Sequence, residues 1–303
     1  MSKWSYLKNG DIIDIVAPAS PSPLEGLNNG IRWIEENGFN ARVPENLIKP
    51  DLFFASSLKN QLDQLKTAIY SDSKMIWSLR GGYGSCRLIP HMMKWQKPKQ
   101  RKLFMGFSDV TALQLFLTQK WGWSVIHGRN ISAMNPDKKS KDRNEVLDIL
   151  TGKKDELVYK NLKPMNELAR YAKSIKGTVT GGNLKLLQTS IKTSWELDAS
   201  GKILFMEDIG ERGYALDRML EQLWQAGIIH KGPRALVLGD FIEGEEKDRR
   251  DLTGVALQRF ALRAPYPVFK GMKCGHGDIN FSLPFNTPAE LSGKNLTVKT
   301  GGF

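Results

Sequence analysis

The first half of the chain alternates short apolar blocks with longer segments whose apolar residues recur every three or four positions. The blocks 12–20, 74–79 and 102–107 predict strands, and the periodic segments 24–39 and 60–71 predict helices. Strands that alternate with helices are typical of a parallel sheet covered on both faces. Functional sites in such sheets gather where the strands end, so we expect chemistry at those corners.

The segment 137–176 breaks this pattern, because it is more basic than acidic and has few long apolar runs. We take it as the connection between a domain at 1–136 and a second at 177–303, with one short helix at 144–151. Apolar blocks and helical periods alternate again after it, and the last of them predicts a closing strand. The fold class is therefore α/β, with a mixed α/β second domain. A length of 303 residues suits two domains.

The composition narrows the function classes. The chain has two cysteines, Cys86 and Cys274, and no motif with metal-ligand spacing, so we expect no disulfide framework, no metal and no cofactor. The net charge of +12 suits an anionic substrate or a basic solvated surface. Aromatic residues are not interleaved with the basic ones, so we do not expect nucleic-acid binding. We see no signal peptide and no apolar run long enough to span a membrane, which predicts a cytoplasmic protein.

One corner stands out as a candidate catalytic position. Gly106, Phe107, Ser108 and Asp109 follow a predicted strand and lead directly into a helix. Several hydrolases place a nucleophilic serine at such a turn, although a serine there is also an ordinary helix N-cap. A nucleophile needs a base and oxyanion donors, so Ser108 is a catalytic candidate only if the chain also supplies these groups.

The base can be sought among four histidines. His91 and His230 are placed as structural residues at helix ends. His276 lies between two glycines, which removes side-chain bulk around the ring and suits a loop that faces a substrate. His127, at the end of a predicted strand, is the alternative. A thiol nucleophile at Cys274 is also considered, but no nearby loop offers it oxyanion donors.

A histidine base is commonly oriented by a carboxylate. Glu207, at the end of the apolar strand 202–207, is the first candidate, and Asp240 competes with it. Asp208 would point to the other side of an extended chain. The glycine-rich stretch RGGYGS at 80–85 does not have the spacing of a phosphate-binding loop, but it could supply oxyanion donors together with the N–H of Asp109.

These segments resemble the LD-carboxypeptidase family, the muramoyltetrapeptide carboxypeptidases. The matching stretches, in chain order, are GDIIDIVAPAS, MIWSLRGGYGSCRLIP, FMGFSDVTALQLFL, VIHG, GTVTGGNLKLL, ILFMEDIGERGYALDRMLEQL, ALVLGDF and GHGDINFSLPFN. Each stretch alone is modest evidence, but eight in the same order are specific. They cover almost the whole chain.

The resemblance implies a serine peptidase with Ser108 as nucleophile, His276 as base and Glu207 as its orienting acid. It implies an oxyanion hole from the N–H groups of Gly82 and Asp109. It also implies an N-terminal flavodoxin-like domain, a smaller C-terminal domain and a homodimer.

The family's activities imply two substrates. Most members remove the terminal D-alanine of murein tetrapeptide during wall recycling, and a smaller branch cleaves peptidyl- or aminoacyl-nucleotide antibiotics of the microcin type. A wall-peptide binding protein that has lost catalysis is a third interpretation. The chain departs from the common pattern at 53–62 and at Arg129, which replaces a usual proline. Arg80 and Arg129 are candidates to bind the substrate carboxylate.

Overall fold

The computed structural model describes residues 4–230, 232–246, 248 and 250–301. The chain divides into two compact units. The N-terminal unit holds the described residues up to Asp155, Phe281–Pro284 and the described residues from Thr300 onward; the C-terminal unit holds Glu156–Asn280 and Phe285–Lys299. The division after Asp155 falls inside the segment 137–176. Its helix Lys141–Thr151 belongs to the first unit, whereas its short helix Glu167–Arg170 and its strands belong to the second.

The regular elements follow the chain in this order. The strands are β1 (Ile12–Val16), β2 (Asn40–Arg42), β3 (Met75–Ser78), β4 (Leu103–Gly106), β5 (Val125–His127), β6 (Glu156–Tyr159), β7 (Lys163–Pro164), β8 (Ser174–Asn183), β9 (Ile203–Ile209), β10 (Ala235–Ile242), β11 (Val268–Lys270), β12 (Leu283–Phe285), β13 (Pro288–Ser292) and β14 (Asn295–Lys299). The helices are α1 (Leu24–Glu36), α2 (Leu58–Tyr70), α3 (Ile89–Met92), α4 (Thr111–Gln119), α5 (Lys141–Thr151), α6 (Glu167–Arg170), α7 (Leu184–Thr189), α8 (Gly213–Gln225) and α9 (Thr253–Arg263).

The N-terminal unit is built on a six-stranded sheet with the order β12-β5-β4-β3-β1-β2. The pairs among β1 to β5 are parallel. Every residue of β3 and β4 is buried, as expected for strands covered by helices on both faces. Because parallel strands end at one edge, the loops that follow β3, β4 and β5 share that edge of the sheet.

The C-terminal unit has an eight-stranded mixed sheet with the order β6-β14-β13-β8-β9-β10-β11-β7. The strands β8 to β11 pair in parallel at its centre, while β13, β14 and β6 extend one side and β7 the other as antiparallel neighbours. The strand β9 is buried along almost its whole length. Its last residues therefore leave a rigid core, and Glu207 is among them.

The predicted α/β class is confirmed, and most of the predicted helices and strands are present. The predicted single closing strand is wrong: β13 and β14 form an antiparallel hairpin. Gly293 turns this hairpin with φ of +56°, which lets the chain reverse where the sequence pattern shows only one apolar run. The short strands β2, β6, β7, β11 and β12, of two to four residues each, were not predicted from the sequence.

Candidate active site

Ser108 lies at a strained corner between β4 and α4. Its φ is +69°, in the left-handed region that side chains other than glycine rarely adopt. A short 3-10 turn, Ser108–Val110, leads from this corner into α4. A strained serine at a strand-to-helix turn is the arrangement that exposes a nucleophilic hydroxyl in several hydrolases.

Two buried side chains hold the corner in this shape. Asn130 accepts a hydrogen bond from the N–H of Phe107 at 3.3 Å. Gln114, on α4, donates to the carbonyl oxygens of Gly106 and Ile126 at 2.8 and 2.9 Å, which ties the helix to the ends of two strands. These bonds satisfy backbone groups that the turn removes from the sheet and compensate for its strain.

The glycine-rich loop after β3 lies directly against Ser108. A Cβ placed on Gly81 would stand 2.8 Å from Cβ of Ser108 and 3.0 Å from its Oγ, so only glycine fits there. Gly82 has φ of +101°, and a Cβ on it would stand 2.4 Å from Oγ of Ser20. The loop's backbone therefore reaches the hydroxyl without intervening side chains, as an oxyanion loop requires.

A pair of hydrogen bonds locks the glycine loop to the residue after the serine. The N–H of Ser85 donates to the carboxylate of Asp109 at 2.8 Å, and the Ser85 hydroxyl donates to the Asp109 carbonyl at 2.7 Å. Burial raises the pKa of Asp109, while the bonds from Ser85 oppose that shift. The side chain of Asp109 thus has a structural role here.

In the C-terminal unit, His276 and Glu207 are brought together. Nδ1 of His276 and Oε2 of Glu207 are 2.6 Å apart, and Glu207 is fully buried at the end of β9. A carboxylate accepts the proton of Nδ1, which leaves Nε2 as the nitrogen that can take a proton. The sequence-based choice of Glu207 over Asp240 as the partner of this imidazole agrees with the geometry.

The imidazole lies in a strongly acidic environment. Burial lowers the pKa of His276, but the hydrogen bond and charge of Glu207, with the charges of Asp208 and Glu243, outweigh burial and hold that pKa above its ordinary value. Burial and the neighbouring Glu207 raise the pKa of Asp208 to about 6. The side chain of Asn183 donates a hydrogen bond to the Asp208 carboxylate at 2.8 Å.

The other candidates occupy different environments. His127 is fully buried on β5, and Cys274 is fully buried as well. The ring of His230 stacks on Trp224 with centroids 4.5 Å apart. Arg129 pairs through Nε with the buried Asp142 at 2.5 Å, at the start of α5.

Arg80 is exposed and donates to the carbonyl of Pro21 at 2.8 Å.

A cavity of about 1030 Å³ lies elsewhere in the C-terminal unit. Its lining includes ion-paired side chains such as Lys299 with Glu156. Among the described residues, no group of three or more His, Cys, Asp or Glu is arranged to hold a metal ion. No helix in the described part of the chain is both long and apolar enough to cross a membrane.

Sequence reasoning missed the residues that support the corner. Asn130 lies in the HGRN stretch after β5, and Ser85 lies in RGGYGS, so both were in segments already marked as strand ends. Gln114 is hidden inside an apolar helix, where a polar residue among Leu113, Leu115 and Phe116 is the available signal. A polar side chain at an otherwise buried position calls for backbone partners.

Known protein families match both halves of the chain. Residues 13–128 match the LD-carboxypeptidase N-terminal domain, and residues 176–291 match the LD-carboxypeptidase C-terminal domain. The chain is 39% identical over 283 residues to a putative carboxypeptidase of Rickettsia conorii, a match that covers 92% of this chain and 87% of the relative.

Solved structures share the fold over nearly the whole chain. A muramoyltetrapeptide carboxypeptidase from Oxalobacter formigenes is 29% identical, with a TM-score of 0.82 over 96% of this chain and 99% of that one. The microcin C7 self-immunity protein MccF, in complex with aspartyl sulfamoyl adenosine, is 20% identical and shares the fold with a TM-score of 0.84 over 99% of this chain and 98% of that one. Taken with the corner at Ser108 and the buried pair at His276, these matches show that the chain belongs to the LD-carboxypeptidase family of hydrolases.

Proposed function

We propose that the protein is a serine carboxypeptidase that hydrolyses the L,D amide bond before the terminal D-alanine of murein tetrapeptide. The observation that carries the proposal is the 2.6 Å contact between His276 and the buried Glu207, because it prepares an imidazole to accept a proton. The strained serine and its glycine loop supply the complementary half of a serine hydrolase. The muramoyltetrapeptide carboxypeptidase of similar fold supports this choice of substrate.

The proposed reaction follows from these roles. Nε2 of His276 takes the proton of the Ser108 hydroxyl as Oγ attacks the carbonyl carbon before the terminal residue. The N–H groups of Gly82 and Asp109 stabilise the oxyanion, and Glu207 stabilises the imidazolium. The imidazolium then protonates the leaving amine of D-alanine, and water, deprotonated by the same imidazole, releases the acyl group from serine.

The terminal carboxylate of the substrate requires a cation. Arg80 is the better of the two candidates, because its guanidinium is exposed on the loop that faces Ser108, whereas Arg129 pairs with a buried carboxylate. Replacing Arg80 with methionine should raise KM for a peptide with a free terminal carboxylate and leave turnover of the corresponding amide unchanged. Location in the cytoplasm and assembly as a homodimer stay predictions from the sequence.

The test is a substrate panel read by mass spectrometry. The protein is incubated with murein tetrapeptide, tripeptide, pentapeptide and aspartyl sulfamoyl adenosine. Loss of one alanine from the tetrapeptide supports the proposal, provided that Ser108→Ala abolishes it and Ser200→Ala, a matched exposed serine, does not. Cleavage of aspartyl sulfamoyl adenosine, with no cleavage of the murein peptides, would instead indicate a peptidase of the microcin-immunity type. Tight binding of tetrapeptide without product would indicate a binding protein.

A further inference from the structure

The loop that carries His276 is enclosed by two carboxylates, one on each side. A Cβ placed on Gly275 would stand 2.8 Å from Oε2 of Glu207, and a Cβ placed on Gly277 would stand 2.6 Å from Oδ2 of Asp240. The two glycines that flank the histidine therefore each make room for one acid. The mechanism above uses Glu207 and leaves Asp240 without a role.

Asp240 reaches this position through an irregularity in β10. The register between β10 and β9 shifts between Leu238 and Phe241, so the strand bulges at Gly239 and Asp240. Bulges commonly redirect a side chain beside an active site. At the bulge, the N–H of Asp240 donates to the carbonyl of Cys274 at 3.0 Å. Asp240 thus contacts the loop two residues before His276 with its backbone and one residue after it with its carboxylate.

Charged groups from several segments surround this carboxylate. Its side chain is 11% exposed, and Nζ of Lys273 lies 3.9 Å from Oδ1. Burial raises the pKa of Asp240, and the charge of Glu207 adds to the rise; Lys273, the N–H of Gly277 and the charge of His276 oppose it. Three further acids, Glu207 and Asp208 on β9 and Glu243 after β10, raise the pKa of the His276 imidazole. The ionised form of Asp240 is therefore favoured when His276 is charged.

We infer that Asp240 is a positioning residue that clamps the His276 loop to the bulge of β10 and stabilises the imidazolium during turnover. The inference rests on the proposed function, in which His276 is the base. In this inference Asp240 acts through His276. Its removal should consequently lower kcat and leave KM unchanged.

Two substitutions separate the clamp from the charge. Asp240→Asn keeps an oxygen beside Gly277 and removes the charge, whereas Asp240→Ala removes both. Asp217→Asn, at an exposed position of α8, is the matched control. The imidazole signals of all three variants and of the wild type are followed by NMR as pH changes, with the His276 signal assigned by its loss in His276→Ala. The pH profiles of kcat/KM are measured with murein tetrapeptide.

In Asp240→Asn we expect the His276 midpoint to fall by on the order of half a pH unit, and the acid limb of kcat/KM to move with it. In Asp240→Ala we expect kcat to fall by about 10- to 100-fold at every pH, because the loop is no longer held. Asp217→Asn should match the wild type. An unchanged His276 midpoint in Asp240→Asn would overturn the inference, even where the folded protein loses activity. Because NMR titration needs no turnover, the result stands whether or not Ser108→Ala confirms the proposed function.

Discussion

The left-handed backbone of Ser108 predicts that the protein is more stable with glycine at this position than with alanine. The two variants to compare are Ser108→Gly and Ser108→Ala, since both remove the hydroxyl and both should abolish hydrolysis. Alanine keeps the Cβ at φ of +69°, whereas glycine adopts this conformation freely. The comparison isolates the strain of the corner from the loss of the nucleophile.

The expected difference can be worked out from the geometry. A side chain in the left-handed region costs about 1–2 kcal/mol. Glycine avoids this cost, but it destabilises the folded state by about 0.5–1 kcal/mol because the unfolded chain has more conformational entropy with glycine than with alanine. Ser108→Gly should therefore be more stable than Ser108→Ala by about 0.5–1 kcal/mol.

The assay is urea unfolding followed by tryptophan fluorescence, in which the midpoint of Ser108→Gly should be higher by about 0.2–0.3 M. Ser174 is the matched control, because it is an exposed serine inside the strand β8 and is not among the residues with positive φ. There the order should be reversed, with Ser174→Ala more stable than Ser174→Gly, because glycine in a strand loses more conformational freedom on folding. If Ser108→Ala unfolds at the same urea concentration as Ser108→Gly or a higher one, the corner stores no strain and the reasoning fails.

Three further predictions concern the base and a buried amine. The neighbouring acids raise the pKa of His276 above its ordinary value of 6.5, and the neutral ring is the active form, so kcat/KM should rise with pH to a midpoint above 6.5. Glu207→Gln should lower this midpoint and reduce kcat on the order of 10³- to 10⁴-fold. A wild-type midpoint below 6.5 would contradict the proposed effect of the acids on His276. Gly275→Ala should lose activity with its far-ultraviolet circular dichroism retained, because its φ is +132° and its Cβ would meet Glu207; wild-type activity would refute this. Burial lowers the pKa of Lys102 to about 8, so the folded protein loses this proton at a lower pH than the unfolded chain does. The free energy of unfolding of the wild type, relative to Lys102→Met, should therefore increase by roughly 3 kcal/mol between pH 7 and pH 11. A difference that does not change with pH would show that burial does not lower the pKa of this amine.

The parts of the fold that follow from local chemistry could be predicted from the sequence. The change of apolar period after Gly106 locates the corner, since strand and helix periods differ enough to be read directly. The end of an apolar strand put Glu207 ahead of Asp240 as a candidate partner for His276, and these two side chains are in contact in the structure. These signals lie within a few residues of the side chains they concern.

The remainder depends on contacts between distant segments, which no local pattern records. The glycines beside His276 were explained in the sequence analysis by access for a substrate, whereas the structure shows that they accommodate Glu207 and Asp240. Asp240 was considered as a rival to Glu207, but the bulge in β10 gives it a separate position beside the same loop. A bulge adds one residue to a strand and leaves the apolar pattern almost unchanged, so it is invisible in the sequence.

The strand β12 has a consequence for how proteins of this kind can diversify. The chain leaves the N-terminal unit after Asp155, yet Phe281–Pro284 return to it and β12 flanks β5 at the edge of its sheet. A recombination event near residue 155 would therefore exchange the second unit together with an edge strand of the first. Chimaeras joined at a single crossover there should be insoluble unless the β12 of the second parent fits beside the β5 of the first. New specificities in such a scaffold are expected to arise by point substitutions and loop changes rather than by domain shuffling.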